Sequence, residues 1–341
     1  MNQTWQEHLA RCGAVSEGKS VTHFGNQEKE QEAVRSGTVL MDLSAYDVIK
    51  FSGEDTQTFL QGQLTNDIRL ATPDRSQYSG YCTPKGRMLA TFLIWRDDEG
   101  YNLQLPASLR EAIQKRLSMF ILRSKVKARD ASDETVRIGI AGAHADQALR
   151  RVYPDLPQEP NAVAAHGSDI IIALPGGRYE IVASPEKAAA LWDTLTQEAT
   201  PVGSSWWTWF DIQAGVPTVT PSTQEEFVPQ MVNYELIGGV NFQKGCYPGQ
   251  EIVARTQYLG KLKRRMYLAH TDAAPAVGQP LYSPDMQEQS IGMIVNAHAS
   301  PLGGHDVLAV IQSSSQEAGE IHLGSLDGPQ LRFLELPYTL G

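Results

Sequence analysis

The chain has 341 residues, with 29 lysines and arginines against 39 aspartates and glutamates, and a formal net charge of −10. That length exceeds one ordinary core and predicts two or three domains of roughly 100–150 residues. The acidic balance disfavours direct binding of nucleic acid, because phosphate contacts need a positive surface.

In chain order, residues 1–40 are polar, with a short helix expected over 28–34. Alternation over 46–51 predicts a strand. Gly53-Glu54-Asp55 then opens a helical stretch through Phe59 and Leu60, which Gly62 and Thr65-Asn66-Asp67 close. Strands over 78–82 and 87–96 flank the turn Thr83-Pro84-Lys85-Gly86, and Asp97-Asp98-Glu99-Gly100 leads into a strand over 101–105. After Pro106 a helix places Leu109, Ile113, Leu117 and Phe120 at helical spacing, and 124–128 returns as a strand. A similar order follows: a strand over 136–141, a helix over 143–152, and a hairpin of 169–174 with 179–183 across Pro175-Gly176-Gly177. Helices over 185–195 and 205–214 complete it. These patterns read as two α+β units with mostly antiparallel sheets. Residues 215–230 form a long loop rich in Pro, Thr and Ser, of the kind that often carries function. From Arg264 onward, short strands at 264–269, 291–298, 306–311 and 331–336 predict a small β-barrel or sandwich.

No run of about 18 apolar residues predicts a membrane span. Residues 1–10 carry Glu7 and His8 and lack the apolar segment of a signal peptide. Cys12, Cys82 and Cys246 are few and far apart, which argues against a disulfide framework and for a reducing, cytoplasmic location. Nucleotide and dinucleotide phosphate loops and Gly-x-Ser-x-Gly are absent, which removes support for enzymes of those classes, and without Cys-x-x-Cys or His-Glu-x-x-His metal binding by protein ligands alone is not expected.

The densest chemistry lies in Lys244-Gly245-Cys246-Tyr247-Pro248-Gly249-Gln250-Glu251. Its glycines and proline predict a turned, surface backbone. Lys244 stands two residues from the thiol, and a nearby cation lowers the pKa of a cysteine from about 8.5. A buried packing role is the plainer account of most cysteines, yet a turn favours exposure. Trp206, Trp207 and Trp209 cannot all face one side of a helix. Packing accounts best for Trp206 and Trp209, whereas a flat ring also suits stacking on a pterin or purine. The basic run Lys261-Leu262-Lys263-Arg264-Arg265 reads either as a solvated strand start or as an anion contact.

The segment from Asn241 to Arg255, Asn-Phe-Gln-Lys-Gly-Cys-Tyr-Pro-Gly-Gln-Glu-Ile-Val-Ala-Arg, resembles the signature of the YgfZ-type folate-binding proteins. These are relatives of the T-protein (aminomethyltransferase) of the glycine cleavage system. Phe51-Ser52-Gly53-Glu54-Asp55, the stretch from Phe59 to Asp67, Lys85-Gly86-Arg87-Met88, the stretch from Asp211 to Pro217, Phe227-Val228-Pro229-Gln230 and Leu336-Pro337-Tyr338 are similar in the same order.

The resemblance implies an α+β, T-protein-like fold: three domains in a ring around a folate pocket, two of them ferredoxin-like and the last a small β-barrel. The expected boundaries are 1–130, 131–215, a thiol-loop linker at 216–262, and 263–341. It also implies a cytoplasmic, tetrahydrofolate-binding protein (or one taking a one-carbon derivative). Such a protein supports iron–sulfur cluster assembly or repair, and through it iron–sulfur-dependent tRNA modification. Iron–sulfur proteins such as tRNA-modifying enzymes are the implied partners, without a membrane. Cys246 and Lys244 are the expected functional pair, within the loop of Gly245, Tyr247, Gly249, Gln250 and Glu251. Tyr46 and Trp207 are the expected pocket aromatics, and Asn66, Asp67 and Gln213 the candidate polar contacts. Ala90 and Thr91 stand where T-protein has an acidic pair, and Gln213 where it has a glutamate. None of the three is an acid, so aminomethyl transfer by the T-protein route is disfavoured. A folate-dependent one-carbon transferase with Cys246 as nucleophile, and a thiol protein without a pterin, stand as alternatives.

Overall fold

The computed structural model describes residues 2–260 and 262–340. Three main sheets organise them. The first has five antiparallel strands in the spatial order Gln77–Cys82, Met88–Asp97, Gly100–Pro106, Tyr46–Ser52, Lys127–Asp130. The second runs Val163–His166, Asp169–Leu174, Arg178–Ala183, Val136–Gly142, Thr38–Asp42, and ends on Thr200–Pro201, its one parallel neighbour. The third is a curled half-barrel of six strands, in the order His322–Leu323, Pro280–Tyr282, Gly292–Ala299, His305–Gln312, Arg264–Thr271, Arg332–Leu334. The architecture is α+β, as expected.

Most strands and helices of the two α+β units fall where the alternation and turn residues place them. Four differences have physical causes. The strand Thr38–Asp42 pairs with Val136–Gly142, so it belongs to the second sheet and a cut at 130/131 does not separate the two sheets. The polar-looking start hides an amphipathic helix, Gln3–Arg11, whose Trp5 packs edge-on against Trp192 at 5.4 Å. The helix after Pro106 stops at Ser118, leaving Phe120 about half exposed rather than in the core. Within the segment read as a linker, Gln250–Tyr258 is a helix that starts directly after Gly249. Among the described residues no helix is long and apolar enough to cross a membrane.

The first two sheets and the helix Trp206–Gln213 face one another. Pro106, Leu105 and Gln104 from one sheet and Leu174 and Glu180 from the other meet around a cavity. Three groups fix the helix Trp206–Gln213 on its far side. Trp209 Nε1 donates to Asp306 Oδ2 at 2.8 Å, Gln213 Nε2 donates to the same oxygen at 3.0 Å, and the Trp206 ring lies 4.7 Å from His298. Trp206 and Trp209 therefore pack on the third sheet, which turns Trp207 toward the cavity.

Candidate functional site

The cavity offers about 50 Å³ to a water-sized sphere and is lined by Tyr46, Tyr78, Gln104, Glu180, Trp207 and Asp211, among others. Tyr46 comes from the edge of its strand and Trp207 from the first turn of its helix. Gly139 is needed behind Trp207: a Cβ there would come within 2.6 Å of the indole ring. The Arg178 guanidinium lies over the other part of that ring, 4.7 Å from its centroid, a cation–π contact in a dry setting.

Arg178 is fully buried and donates through Nη2 to Asp211 Oδ1 at 2.6 Å. The other oxygen of Asp211 accepts from the Tyr46 hydroxyl at 3.5 Å. Burial raises the Asp211 carboxyl, and Arg178 opposes that rise. Glu180 differs. It accepts from Gln104 Nε2 at 2.9 Å through Oε2, while its Oε1 has no partner among the described residues. Gln104 Oε1 and Arg178 Nη1 are buried and likewise lack a partner among them. Burial pushes the Glu180 carboxyl up to about 7. Native interiors pair nearly all such groups, so orphaned polar atoms at a cavity point to a missing ligand or water.

Glu180 and Asp211 are the two carboxylates of the lining. Neither was singled out as a site residue from the sequence, so the cavity is less depleted of acid than Ala90 and Thr91 suggest. Ala90 is buried, and Thr91 lines the cavity with its hydroxyl oxygen accepting from the Val219 N–H at 3.1 Å. The signal for Glu180 was a lone carboxylate inside the apolar strand Arg178–Ala183.

The thiol loop is a second locus. Cys246 is exposed and is not part of the cavity lining. Gly249 holds φ 84°, and a Cβ there would lie 2.4 Å from Thr83 O and 2.6 Å from Gly86 N. Only glycine allows the loop to sit this close to the Thr83–Gly86 turn. Gln250 N–H donates to Tyr247 O at 3.1 Å and begins the helix. Its side-chain amide reaches Lys244 O at 3.5 Å. Gly245 and Glu251 are exposed.

Lys244 does not stand beside the thiol as a free cation. Its Nζ donates to Gln61 O at 2.6 Å and to Leu64 O, and lies 4.8 Å from the centroid of the buried Tyr247 ring. Burial lowers its pKa to about 8. These contacts make Lys244 an anchor that ties the loop to the end of the helix Thr56–Gln61. Cys82 is buried, which pushes its thiol up to about 12 and leaves it inert beside Cys246.

The remaining candidates have structural partners. Asn66 donates to Tyr78 O at 2.9 Å and to Gly238 O at 2.7 Å, which joins a cavity strand to the segment leading into the thiol loop. Asp67 is held by Arg69, whose hydrogen bonds keep its carboxyl below the ordinary value. Gln213 points to Asp306, as above. None of these three lines the cavity. Tyr234 does line it, and its ring packs so closely on Gly239 that a Cβ there would meet it at 2.4 Å. In the basic run, Lys261 lies outside the described residues, while Arg265 is turned inward to Glu235 and to Gln230 O at 3.1 Å.

The family profile described as "GCVT N-terminal domain" matches residues 1–166. The protein named "tRNA-modifying protein YgfZ" from Escherichia coli O7:K1 (strain IAI39 / ExPEC) is 30% identical over 312 residues, covering 90% of this chain and 95% of that one. Its counterpart from Escherichia coli (strain SMS-3-5 / SECEC) is similar to the same extent, 30% over the same shares. Among solved structures, the glycine cleavage system aminomethyltransferase T from Bartonella henselae superposes with a TM-score of 0.80 over 99% of this chain and 97% of that one, at 16% identity. That likeness establishes the T-protein fold. With the identity and coverage shared with the Escherichia coli proteins, the chain belongs to the YgfZ family.

Proposed function

We propose that this protein binds a tetrahydrofolate in the cavity and, with Cys246 as its functional thiol, supports iron–sulfur cluster assembly or repair on which tRNA modification depends. The observation that carries the reading is the unpartnered Glu180 Oε1 and Gln104 Oε1 in a cavity that Tyr46 and Trp207 also line. A pterin offers a flat face for the rings and an edge of N–H donors for those oxygens, which satisfies groups otherwise left orphaned. Bound folate supplies one-carbon carrying capacity. Glu180 and Gln104 would orient its edge, and Arg178 and Asp211 would hold Trp207 and Tyr46 in place. The names of the Escherichia coli relatives support the link to tRNA modification.

The exposed thiol and the cavity are then two parts of one device: the cavity recognises folate, and Cys246 meets iron or a client protein, since thiolate is a good iron ligand. Aminomethyl transfer finds little support, because Ala90 and Thr91 offer no acid and Asp211 is engaged by Arg178. Calorimetry with tetrahydrofolate tests the reading, and the expected result is binding that falls when Glu180 is changed to Leu. No heat at high micromolar folate removes it. In cells, Cys246→Ser is expected to lose support of iron–sulfur enzymes while the purified variant still binds folate. A one-carbon adduct on Cys246 in mass spectra would favour the transferase alternative.

A further inference from the structure

Away from both loci, the helix Gln3–Arg11 crosses the helix Pro185–Leu195. On one side of that crossing, three different donor groups converge: His8, Cys12 and Asp193, with one ligand atom from each within 4.8 Å of the others. His8 and Cys12 are four residues apart, hence on one helical face, and Asp193 arrives from the other helix. We propose that His8 Nε2, Cys12 Sγ and Asp193 Oδ1 form a binding site for a borderline-soft divalent metal ion of the zinc class, with the fourth position open to water.

The geometry is near that of a formed site. A tetrahedral zinc with ordinary bond lengths separates a thiolate sulfur from an imidazole nitrogen by about 3.6 Å, and that nitrogen from a carboxylate oxygen by about 3.4 Å. Here Cys12 Sγ lies 3.6 Å from His8 Nε2, and Asp193 Oδ1 lies 3.1 Å from the same nitrogen. The sulfur and the carboxylate oxygen lie within 4.8 Å of each other, and small rotations of the exposed Cys12 and Asp193 side chains complete the fit. The imidazole is already set: its ring stacks on Trp5 at 5.7 Å, and Trp5 is fixed by its hydrogen bond to Asp42 at 2.8 Å.

Charge agrees with geometry. On binding a divalent ion the thiol releases its proton to solvent, the thiolate binds the metal, and Nε2 presents its lone pair with the ring hydrogen on Nδ1. One thiolate and one carboxylate then neutralise the two positive charges. Thiolate with imidazole selects zinc over magnesium or calcium. The spacing escapes a motif scan because the third donor comes from a distant helix.

Titration of the full chain with Co²⁺ under reducing conditions tests this. The expected result is a thiolate-to-cobalt charge-transfer band that saturates at one equivalent and is displaced by Zn²⁺. Cys246→Ser should keep the band, Cys12→Ser should abolish it, and Asp193→Asn should weaken Co²⁺ binding by roughly tenfold or more. Cys12 and Asp193 are exposed, so neither variant threatens the fold, and a thermal melt of each confirms that. Absence of the band, its survival in Cys12→Ser, its loss in Cys246→Ser, or unchanged affinity in Asp193→Asn would each overturn the site.

Discussion

The cavity and the thiol loop lie against the same first sheet but are held by different chemistry. The cavity is held by side chains: an ion pair, a guanidinium over an indole ring and a carboxyl pushed up by burial. The thiol loop is held largely by backbone groups: two carbonyls grip Lys244, and a bare glycine allows contact with the Thr83–Gly86 turn. Side-chain networks bind and discriminate ligands, whereas backbone anchoring presents one exposed atom without reading what approaches it. On the proposed function, recognition belongs to the cavity and reactivity to the loop.

The sharpest way to break that contrast is Arg178→Met, which leaves the Asp211 carboxylate buried without its partner. A loss of about 3–5 kcal/mol is expected from denaturant unfolding, and a change under about 1 kcal/mol would show that the ion pair does not organise the cavity. Next in size, Gly249→Ala forces a Cβ into the Thr83 carbonyl at a positive φ. Roughly 2–4 kcal/mol of destabilisation should follow, with folate affinity retained. If affinity fell as far as in the Glu180 variant, the two loci would not be separable. Gly139→Ala is milder, about 1–3 kcal/mol from displacing the Trp207 ring, yet folate binding should drop while Cys246 alkylation proceeds at the unchanged rate.

A further effect is a pH dependence. Burial raises the folded-state pKa of Glu180 to about 7, so its stabilising protonated form is fully present below the unfolded carboxyl value and is lost as pH rises through about 7. Stability should therefore slope downward across that window, and the slope should vanish in Glu180→Gln. Folate affinity should move the opposite way, rising as the carboxylate forms to accept the pterin N–H. A fall in affinity over the same window would mean that the protonated acid is the form that binds.

Much of this was legible in the sequence because it is local. Alternation placed Tyr46–Ser52, turn residues placed the Thr83–Gly86 corner, and the crowded tryptophans required one ring to leave the packed face, which is Trp207. The thiol loop announced itself through Gly245, Pro248 and Gly249. Glu180 did not, because every residue of Arg178–Ala183 is buried and the strand shows no in–out alternation to mark a cavity side. The inward turn of Lys244 depends on carbonyls at Gln61 and Leu64, about 180 residues away in the chain. Asn66, Asp67 and Gln213 were legible as polar residues but not as residues with partners elsewhere. Residue type fixes what a group can donate, while only packing decides who receives it.

The placement of Thr38–Asp42 has a consequence for biosynthesis. This stretch leaves the ribosome early, but its antiparallel neighbour, Val136–Gly142, and its parallel neighbour, Thr200–Pro201, are both translated later. Until they emerge, an apolar strand with open edges must wait, the kind of exposed edge that invites aggregation. The nascent chain therefore has reason to depend on chaperone cover over that interval, and the intervening first sheet can complete its own pairing while the strand is still unmatched.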